Sequence, residues 1–278
     1  MDVIRTKAAL RAQVSAWQRA GETVALTPTM GAVHEGHLSL VRLGQERAER
    51  CVATIFVNPR QFGPNEDFET YPRDEERDLA KFRSSGCHAV YMPDPSEMYG
   101  TDYKTEVIVH EISEIMEGAS RPGFFTGVAT VVSKLLIQSL PDIAIFGEKD
   151  FQQLTVIRTM ARDLDLPIEI FGAPTVREAD GLALSSRNAY LDPKQRDIAP
   201  ALHRAMIAAA EAVRAGTNPR AAAAKARENV LAAGFDDAIY IDIRDQDSFA
   251  LAEAPAENLR IFAAARLGGC RLIDNLGI

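Results

Sequence analysis

Short apolar runs alternate with helical patterns in the first half of this chain, and this alternation restricts the possible folds more than any other feature. Residues 51–57 form a continuous run rich in β-branched side chains and bounded by Asn58-Pro59, which is typical of a central strand in a parallel sheet. Similar runs at 23–27 and 89–92 are separated from it by helical patterns. This order predicts parallel strands joined by crossovers whose helices cover both faces of the sheet.

The remaining patterns indicate two domains. Alanine-rich helical sequence replaces the alternation after Gly172-Ala173-Pro174. We therefore expect an α/β protein with a Rossmann-like parallel sheet and helices on both faces in residues 1–176. A smaller C-terminal α+β domain, residues 177–278, is expected to close over the first as a lid. The other expected elements are helices over 74–85, 112–116, 126–140, 193–215 and 219–233, and strands over 106–109, 143–146, 168–171, 238–243, 259–264 and 270–273.

Composition excludes several classes of protein. The net charge of -8 argues against a nucleic-acid partner held by bulk charge. No apolar run approaches the roughly 20 residues that span a bilayer, and the first residues lack a signal-peptide pattern, so we expect no membrane partner and a cytoplasmic location. The three cysteines are widely spaced without a C-x-x-C, which predicts neither a disulfide framework nor a zinc cluster.

The stretch at 27–37 joins the end of the first of these strands to a helical pattern. A helix N-terminus stabilises anions because its N–H groups lack partners and carry a partial positive charge. Gly31 and Gly36 allow a ligand to approach the backbone, and His34 and His37 are spaced to share one helix face. The stretch therefore predicts a phosphate site. The alternative is a pair of histidines that cap a helix without any ligand.

Two polar loops, 58–62 and 147–153, directly follow later strands. A third polar loop, 180–188, lies near the start of the second domain. Lys149 and Arg187 suit phosphate oxygens, whereas Gln61 and Gln153 suit a small polar substrate that needs both donor and acceptor. Each can instead be an ordinary surface side chain, but their position at the carboxyl ends of strands favours a common site. Neither a P-loop nor a G-x-G-x-x-G is present, so histidine, lysine, arginine and helix dipoles must hold any phosphate.

These stretches resemble a known family. Residues 28–37 contain a stretch similar to the His-x-Gly-His signature of the nucleotidylyltransferase superfamily. Their full sequence resembles the form that this signature takes in the pantoate-β-alanine ligase family. The likeness continues through Phe56-Val57-Asn58-Pro59, Arg121-Pro122-Gly123, 146–154 and 180–188 in the order of the family. The resemblance implies ATP-dependent condensation of pantoate with β-alanine to pantothenate through a pantoyl-adenylate, with release of AMP and pyrophosphate. It also implies a homodimer, and Mg²⁺ that enters with ATP and is held largely by phosphate oxygens.

Site residues follow from the same resemblance, position by position. His34, His37, Lys149 and Arg187 are the implied catalytic residues, with His34 and His37 on the phosphates and His37 as proton donor. Gln61 and Gln153 are the implied substrate-binding residues, for pantoate and β-alanine. The implied ATP site comprises Met30, Gly31, Ala32, Val33, His34, Glu35, Gly36, His37, Gly147, Glu148, Lys149, Asp150, Val176, Leu184, Ser185, Ser186 and Arg187.

A few positions depart from the family pattern. Phe124 stands where many members have histidine, so any polar role of that position is lost, and Leu184 replaces a common methionine. Asp78 matches a position where the family can place an acidic metal contact. Arg77 and Lys81 stand where some members have acidic or amide groups, so no metal ligand is firmly assigned.

Two other functions remain open at this point. One is a nucleotidylyltransferase that stops at an adenylylated product, against which Gln61 and Gln153 argue because they suit a small hydroxy acid. The other is an inactive nucleotide-binding or sensing module. The presence of both signature histidines together with Lys149 and Arg187 argues against it, because a sensor needs affinity but no stabilisation of a transition state.

Overall fold

The computed structural model describes residues 1–64 and 66–278. The chain divides into two compact units, Met1–Pro174 and Thr175–Ile278. The sequence-based boundary lies two residues further along, between 176 and 177. The assignment of ATP and pantoate to the first unit, and of a lid to the second, stays a prediction.

The first unit contains a six-stranded parallel sheet. Its strands are β1 (Asp2–Ile4), β2 (Val24–Thr27), β3 (Arg50–Thr54), β4 (Ala89–Tyr91), β5 (Ile143–Gly147) and β6 (Glu169–Ala173). They lie in the order β1-β4-β3-β2-β5-β6. Between β2 and β5 the chain changes the direction in which it adds strands to the sheet, which makes this pair a topological switch point. A crevice opens at the carboxyl ends of the strands at a switch point of this kind. The fold class expected from the sequence is confirmed.

Helices cover both faces of this sheet. They are α1 (Lys7–Arg19), α2 (Glu35–Arg47), α3 (Glu75–Ser84), α4 (Pro95–Met98), α5 (Glu117–Ser120), α6 (Phe124–Ser139) and α7 (Phe151–Asp163). Successive strand residues point to opposite faces. Leu26 and Val52 pack in one core with residues of α1, α6 and α7. Ala25 and Ala53 pack in a second core with residues of α2 and α3.

Two expectations for the first unit are wrong, and one strand was not expected. No strand forms over 106–109, where the Val107 N–H donates to the Thr130 hydroxyl of α6 at 3.0 Å and so ties this segment to a helix. Residues 112–116 are turns rather than a helix, and Met116, with φ of 47°, comes directly before α5. The sequence patterns also miss β1, since it has three residues of which only Ile4 is buried.

The second unit pairs helices with an antiparallel sheet in the order β7 (Asp237–Asp245), β8 (Leu259–Leu267) and β9 (Cys270–Gly277). The helix expected over 193–215 is two helices, because Pro200 precedes the second and a proline lacks the N–H that a continuous helix needs. All three cysteines are buried. Among the helices that the structure describes, none combines the length and apolar character needed to cross a bilayer. The helices are α8 (Pro193–Ile198), α9 (Ala201–Arg214) and α10 (Pro219–Ala232).

Gly127 brings the backbone of α6 against the loop that follows β3. A Cβ at Gly127 would lie 2.2 Å from the carbonyl oxygen of Arg60. The short 3₁₀ helix Pro59–Gln61, which carries a proposed substrate residue, therefore packs directly on α6. This position needs glycine for space rather than for an unusual φ.

We expect Gly127→Ala to lower the free energy of unfolding by about 1–3 kcal/mol through overpacking. The change runs against the roughly 1 kcal/mol by which alanine normally improves a helix. Denaturant unfolding measures it, with Thr126→Ala as the control that adds no atoms on the same turn. Unchanged or increased stability of Gly127→Ala would contradict the close packing.

Candidate active site

Asp78 holds the loop that connects β2 to α2. Its carboxylate is buried, and its two oxygens accept hydrogen bonds from the Ala32 N–H at 2.8 Å and the Val33 N–H at 2.7 Å. Burial raises the pKa of Asp78, while these two backbone bonds oppose the shift. Gly31 has φ of 89°, and a Cβ there would lie 2.9 Å from Asp78 Oδ2. Glycine is therefore required at position 31 by both its conformation and its contact with Asp78.

His34 and His37 cap the start of α2 reciprocally. His34 Nδ1 accepts from the Gly36 N–H at 3.2 Å, and His37 Nδ1 accepts from the His34 N–H at 3.3 Å. The two rings stack with their centroids 4.0 Å apart. Because each Nδ1 is an acceptor, each neutral imidazole carries its hydrogen on Nε2. The helix start therefore provides two Nε2–H donors.

Both histidines are neutral at pH 7. Burial lowers the pKa of His34 to about 4, and the charges of Lys149 and Lys81 act in the same direction. Burial also lowers the pKa of His37 well below its usual value, with further contributions from His34 and both lysines. The two neutral imidazole donors and the two nearby ammonium groups together provide an environment that suits an anion.

The two lysines come from different elements. Lys149 follows β5, which pairs with β2, in the short 3₁₀ helix Glu148–Asp150. Its side chain is only 18% exposed, and Nζ lies 3.8 Å from Asp150 Oδ1. Lys149 therefore pairs with Asp150 and also lowers the pKa of both histidines. Lys81 of α3 donates to the Val33 carbonyl next to the helix cap, a contact that the sequence does not indicate.

Gln61 lies beside the same loop. Its Nε2 is 2.8 Å from Met30 Sδ, and its Oε1 accepts from Asn58 Nδ2 at 3.1 Å. Gln153 is half-buried in the first turn of α7. Its neighbour Gln152 is buried and donates to the carbonyls at 112 and 115, so Gln152 has a structural role.

Arg121 anchors the backbone of Gln61. Its guanidinium donates to the Gln61 carbonyl at 3.2 Å and binds both oxygens of Glu66 at 2.7 and 2.6 Å. The centroid of the Phe124 ring lies 3.7 Å from the Arg121 guanidinium carbon. The residue that replaces the common histidine therefore packs against this arginine, a favourable cation–π geometry.

The site residues of the second unit form an ordered loop by themselves. The Leu184 N–H donates to the Val176 carbonyl at 3.0 Å. Ser185 caps the 3₁₀ helix Ser186–Tyr190 by accepting from the Arg187 N–H at 3.3 Å. Asn188 Nδ2 donates to the Ala183 carbonyl at 3.0 Å. These contacts give the Ser185-Ser186-Arg187 stretch a defined backbone.

The donor set does not form a protein-held metal site. Over residues 1–64 and 66–278, no group of three or more His, Cys, Asp or Glu side chains is arranged to hold an ion. Both oxygens of Asp78 already accept backbone hydrogen bonds, which fits an anchor for the loop.

A parallel sheet whose switch point carries a His-x-Gly-His helix start, with a lysine after the adjacent strand, is similar to the arrangement expected of the nucleotidylyltransferase superfamily. Comparison with known proteins narrows the class. The family model for pantoate-beta-alanine ligase matches residues 2–277. The chain therefore belongs to the pantoate-β-alanine ligase family, and its activity is that of a ligase that forms pantothenate.

Individual relatives agree with this assignment. Pantothenate synthetase of Paramagnetospirillum magneticum is 58% identical over 276 residues, which cover 99% of this chain and 97% of the relative. That of Caulobacter vibrioides is 54% identical over 279 residues, 99% of this chain and 98% of the relative. The crystal structure of pantothenate synthetase from Thermus thermophilus superposes with a TM-score of 0.94 at 43% identity and 99% coverage of both chains.

A further solved structure was determined with ligands. It is pantoate-beta-alanine ligase from Francisella tularensis complexed with beta-gamma ATP and beta-alanine. Its TM-score is 0.83 at 30% identity, with 99% of this chain and 97% of that chain covered.

Neutral burial of His34 predicts a pH dependence of stability. The folded pKa of about 4 lies below the unfolded value of about 6.5, so stability is lost as pH falls through that interval. His34→Asn keeps a good N-cap acceptor but does not titrate. Between pH 7 and pH 5 the wild-type protein should lose about 2 kcal/mol more unfolding free energy than this variant. Denaturant unfolding at both pH values measures the difference, and parallel losses would contradict the neutral state.

The role of Asp78 is tested by Asp78→Asn. The amide keeps one acceptor and turns an NH₂ group toward the other backbone N–H, which should cost about 1–3 kcal/mol of stability. Asp74→Asn on the same helix is the control, because asparagine and aspartate are equivalent N-caps. The Mg²⁺ concentration that supports activity should stay the same in both variants. Normal stability with a raised Mg²⁺ requirement would instead make Asp78 a metal ligand.

Proposed function

We propose that the crevice at the carboxyl ends of β2 and β5 binds ATP and activates pantoate as pantoyl-adenylate, which β-alanine then converts to pantothenate. The observation that carries this proposal is the pair of neutral histidines, each with its hydrogen on Nε2, flanked by Lys149 and Lys81. The complex of the Francisella tularensis ligase with beta-gamma ATP and beta-alanine supports ATP and β-alanine as substrates of this chain.

In the first step, the pantoate carboxylate attacks the α-phosphorus of ATP. A new P–O bond forms, the bond to the β-phosphate oxygen breaks, and pyrophosphate leaves. Negative charge that develops on the phosphate oxygens is stabilised by Nε2–H of His34 and His37 and by the Lys149 ammonium. Because the pKa of His37 is low, we assign it hydrogen-bond donation from Nε2 rather than transfer of an imidazolium proton.

In the second step, the neutral amine of β-alanine attacks the carbonyl carbon of the mixed anhydride. The amide bond forms, the C–O bond to the phosphate breaks, and AMP leaves with the electron pair, while the proton that the amine releases passes to the phosphate of AMP or to solvent. Gln61 and Gln153 position the pantoyl group in both steps, so that binding places the reacting atoms rather than forming any covalent enzyme intermediate.

Other assignments in this proposal rest on family resemblance. Ala32 and Val33 donate their N–H groups to Asp78, so these two N–H groups are not the ones that would contact ATP. Mg²⁺ would arrive on the phosphates of ATP, where it supplies charge neutralisation. A homodimer and a cytoplasmic location stay predictions. So do the ATP contacts of Met30, Gly31, Glu35, Gly36, Gly147, Glu148, Asp150, Val176, Leu184, Ser185, Ser186 and Arg187.

One assay tests the function directly. With ATP and pantoate alone, the protein should release pyrophosphate and retain bound adenylate. Free AMP should accumulate in equal amount with pantothenate only when β-alanine is added. AMP formation at the same rate with and without β-alanine would contradict the second step. A free adenylylated product that β-alanine does not consume would establish the nucleotidylyltransferase alternative.

We expect His37→Asn to lower kcat by about 10²–10³-fold while the KM for ATP changes less than severalfold. Asparagine retains an acceptor near the position of Nδ1 but has no group that replaces the Nε2–H. His110→Gln, an exposed histidine outside the site, is the control and should keep wild-type kinetics. Steady-state kinetics of pyrophosphate release measures both variants. A normal kcat in His37→Asn would remove this histidine from the chemistry.

A further inference from the structure

The side-chain amide of Asn58 is buried and has all its hydrogen-bonding positions filled. The residue is 1% exposed. Its Oδ1 accepts from the Arg60 N–H at 3.3 Å and from the Tyr99 hydroxyl at 2.8 Å. Its Nδ2 donates to the Gly127 carbonyl at 3.1 Å and to Gln61 Oε1 at 3.1 Å. Two acceptor positions and two hydrogens are thus matched by four partners.

Backbone chemistry fixes which way this amide points. A backbone N–H can only donate and a backbone carbonyl can only accept, so Arg60 and Gly127 assign Oδ1 and Nδ2 of Asn58 without ambiguity. Gln61 must then turn its own Oε1 toward Asn58. The Nε2 of Gln61 consequently faces the other way, toward Met30 Sδ at 2.8 Å.

We propose that Tyr99 is a positioning residue for the acid substrate: through Asn58, its hydroxyl fixes the sense of the Gln61 amide so that Gln61 offers N–H donors to an oxygen of that substrate. This inference rests on the proposed function, in which Gln61 holds pantoate. The ligand chemistry it selects is an oxygen acceptor, such as a carboxylate or hydroxyl oxygen, at the Gln61 position.

Tyr99 is held as a permanent donor. Its ring packs edge-on against Tyr103 with centroids 5.0 Å apart, and it also packs against Phe56. The Arg60 guanidinium lies over both tyrosine rings. Burial raises the pKa of Tyr99 far above its usual value, so the hydroxyl keeps its proton at every pH at which the enzyme works.

Tyr99 matters because the other contact to Asn58 Oδ1 is long. Without the hydroxyl, the 3.3 Å bond from Arg60 is the remaining donor to this oxygen. The Asn58 amide then keeps its orientation only through the 3.3 and 3.1 Å contacts with Arg60 and Gly127, so it is held less firmly and Gln61 reverses more often. A reversed Gln61 would present Oε1 toward an anionic oxygen, which repels rather than binds the substrate.

A first experiment compares Tyr99→Phe with Tyr103→Phe. Both remove one hydroxyl from the same aromatic pair, but the Tyr103 hydroxyl is directed to Thr130 rather than to Asn58. We expect Tyr99→Phe to raise the KM for pantoate about three- to tenfold, the usual effect of one lost hydrogen bond. The KM for ATP should change less than twofold, and Tyr103→Phe should match wild type. Equal effects of the two variants on pantoate KM would overturn the inference.

A second experiment replaces the amide by a symmetric group. In Gln61→Glu the carboxylate can still accept from Asn58, but it turns an oxygen instead of an N–H toward the substrate. The KM for pantoate should rise on the order of 10²-fold, as when a site loses a required donor. Tyr99→Phe should have no additional effect in the Gln61→Glu background, because the two oxygens of a carboxylate are equivalent and its orientation makes no difference. Additive effects, or a mild effect of Gln61→Glu alone, would overturn the inference.

Gln61→Ala separates this inference from the proposed function. An unchanged pantoate KM in Gln61→Ala would remove Gln61 from the substrate site, and both would fail. A raised pantoate KM in Gln61→Ala together with wild-type kinetics of Tyr99→Phe would leave the proposed function intact and overturn the role of Tyr99 alone.

Discussion

The two hydrogen bonds from Ala32 and Val33 to Asp78 are the constraint on which the proposed site depends. The loop before α2 places two consecutive residues, Gly31 and Ala32, at positive φ. A residue other than glycine in this region costs about 1–2 kcal/mol. Charge-assisted bonds to a buried carboxylate offset that cost and leave the loop with one conformation. His34 is therefore placed as the N-cap of α2, and both imidazoles are aligned by backbone donors.

Burial then decides the chemistry of those imidazoles. A solvent-exposed histidine pair would gain and lose protons near neutral pH, and its hydrogen-bonding pattern would change with them. Here the neutral form dominates, and the backbone selects which nitrogen carries the hydrogen. The donors are thus in place before any ligand binds, and no reorganisation is needed when charge develops on a phosphate. The positive charge comes instead from lysines on neighbouring elements.

Much of the fold could be predicted because the central strands are uninterrupted apolar runs and the helices keep a clear period. Residues 106–109 were harder, since a short run with the right residue types can bond to a helix as well as to a sheet. The sequence could indicate which residues belong to the candidate site, because histidine, lysine and glutamine side chains stand in loops that follow predicted strands. The internal contacts of the site could not be predicted, because Asp78 meets the signature loop 46 and 45 residues away, and Tyr99 meets Asn58 across 41. No local pattern records such pairings.

The strand order has a consequence for how a ligase of this type can change its substrate. The proposed histidine and Lys149 phosphate contacts follow β2 and β5, the pair at the centre of the sheet, whereas Gln61 and Asn58 belong to the loop after β3, which packs on Gly127 of α6. In the proposed site, Gln153 therefore shares the segment after β5 with Lys149, whereas Gln61 lies on a segment of its own. Substitutions confined to the β3 loop would then change one side of the acid site without touching the segments that carry the proposed phosphate contacts, so new acid specificities could evolve stepwise from that side.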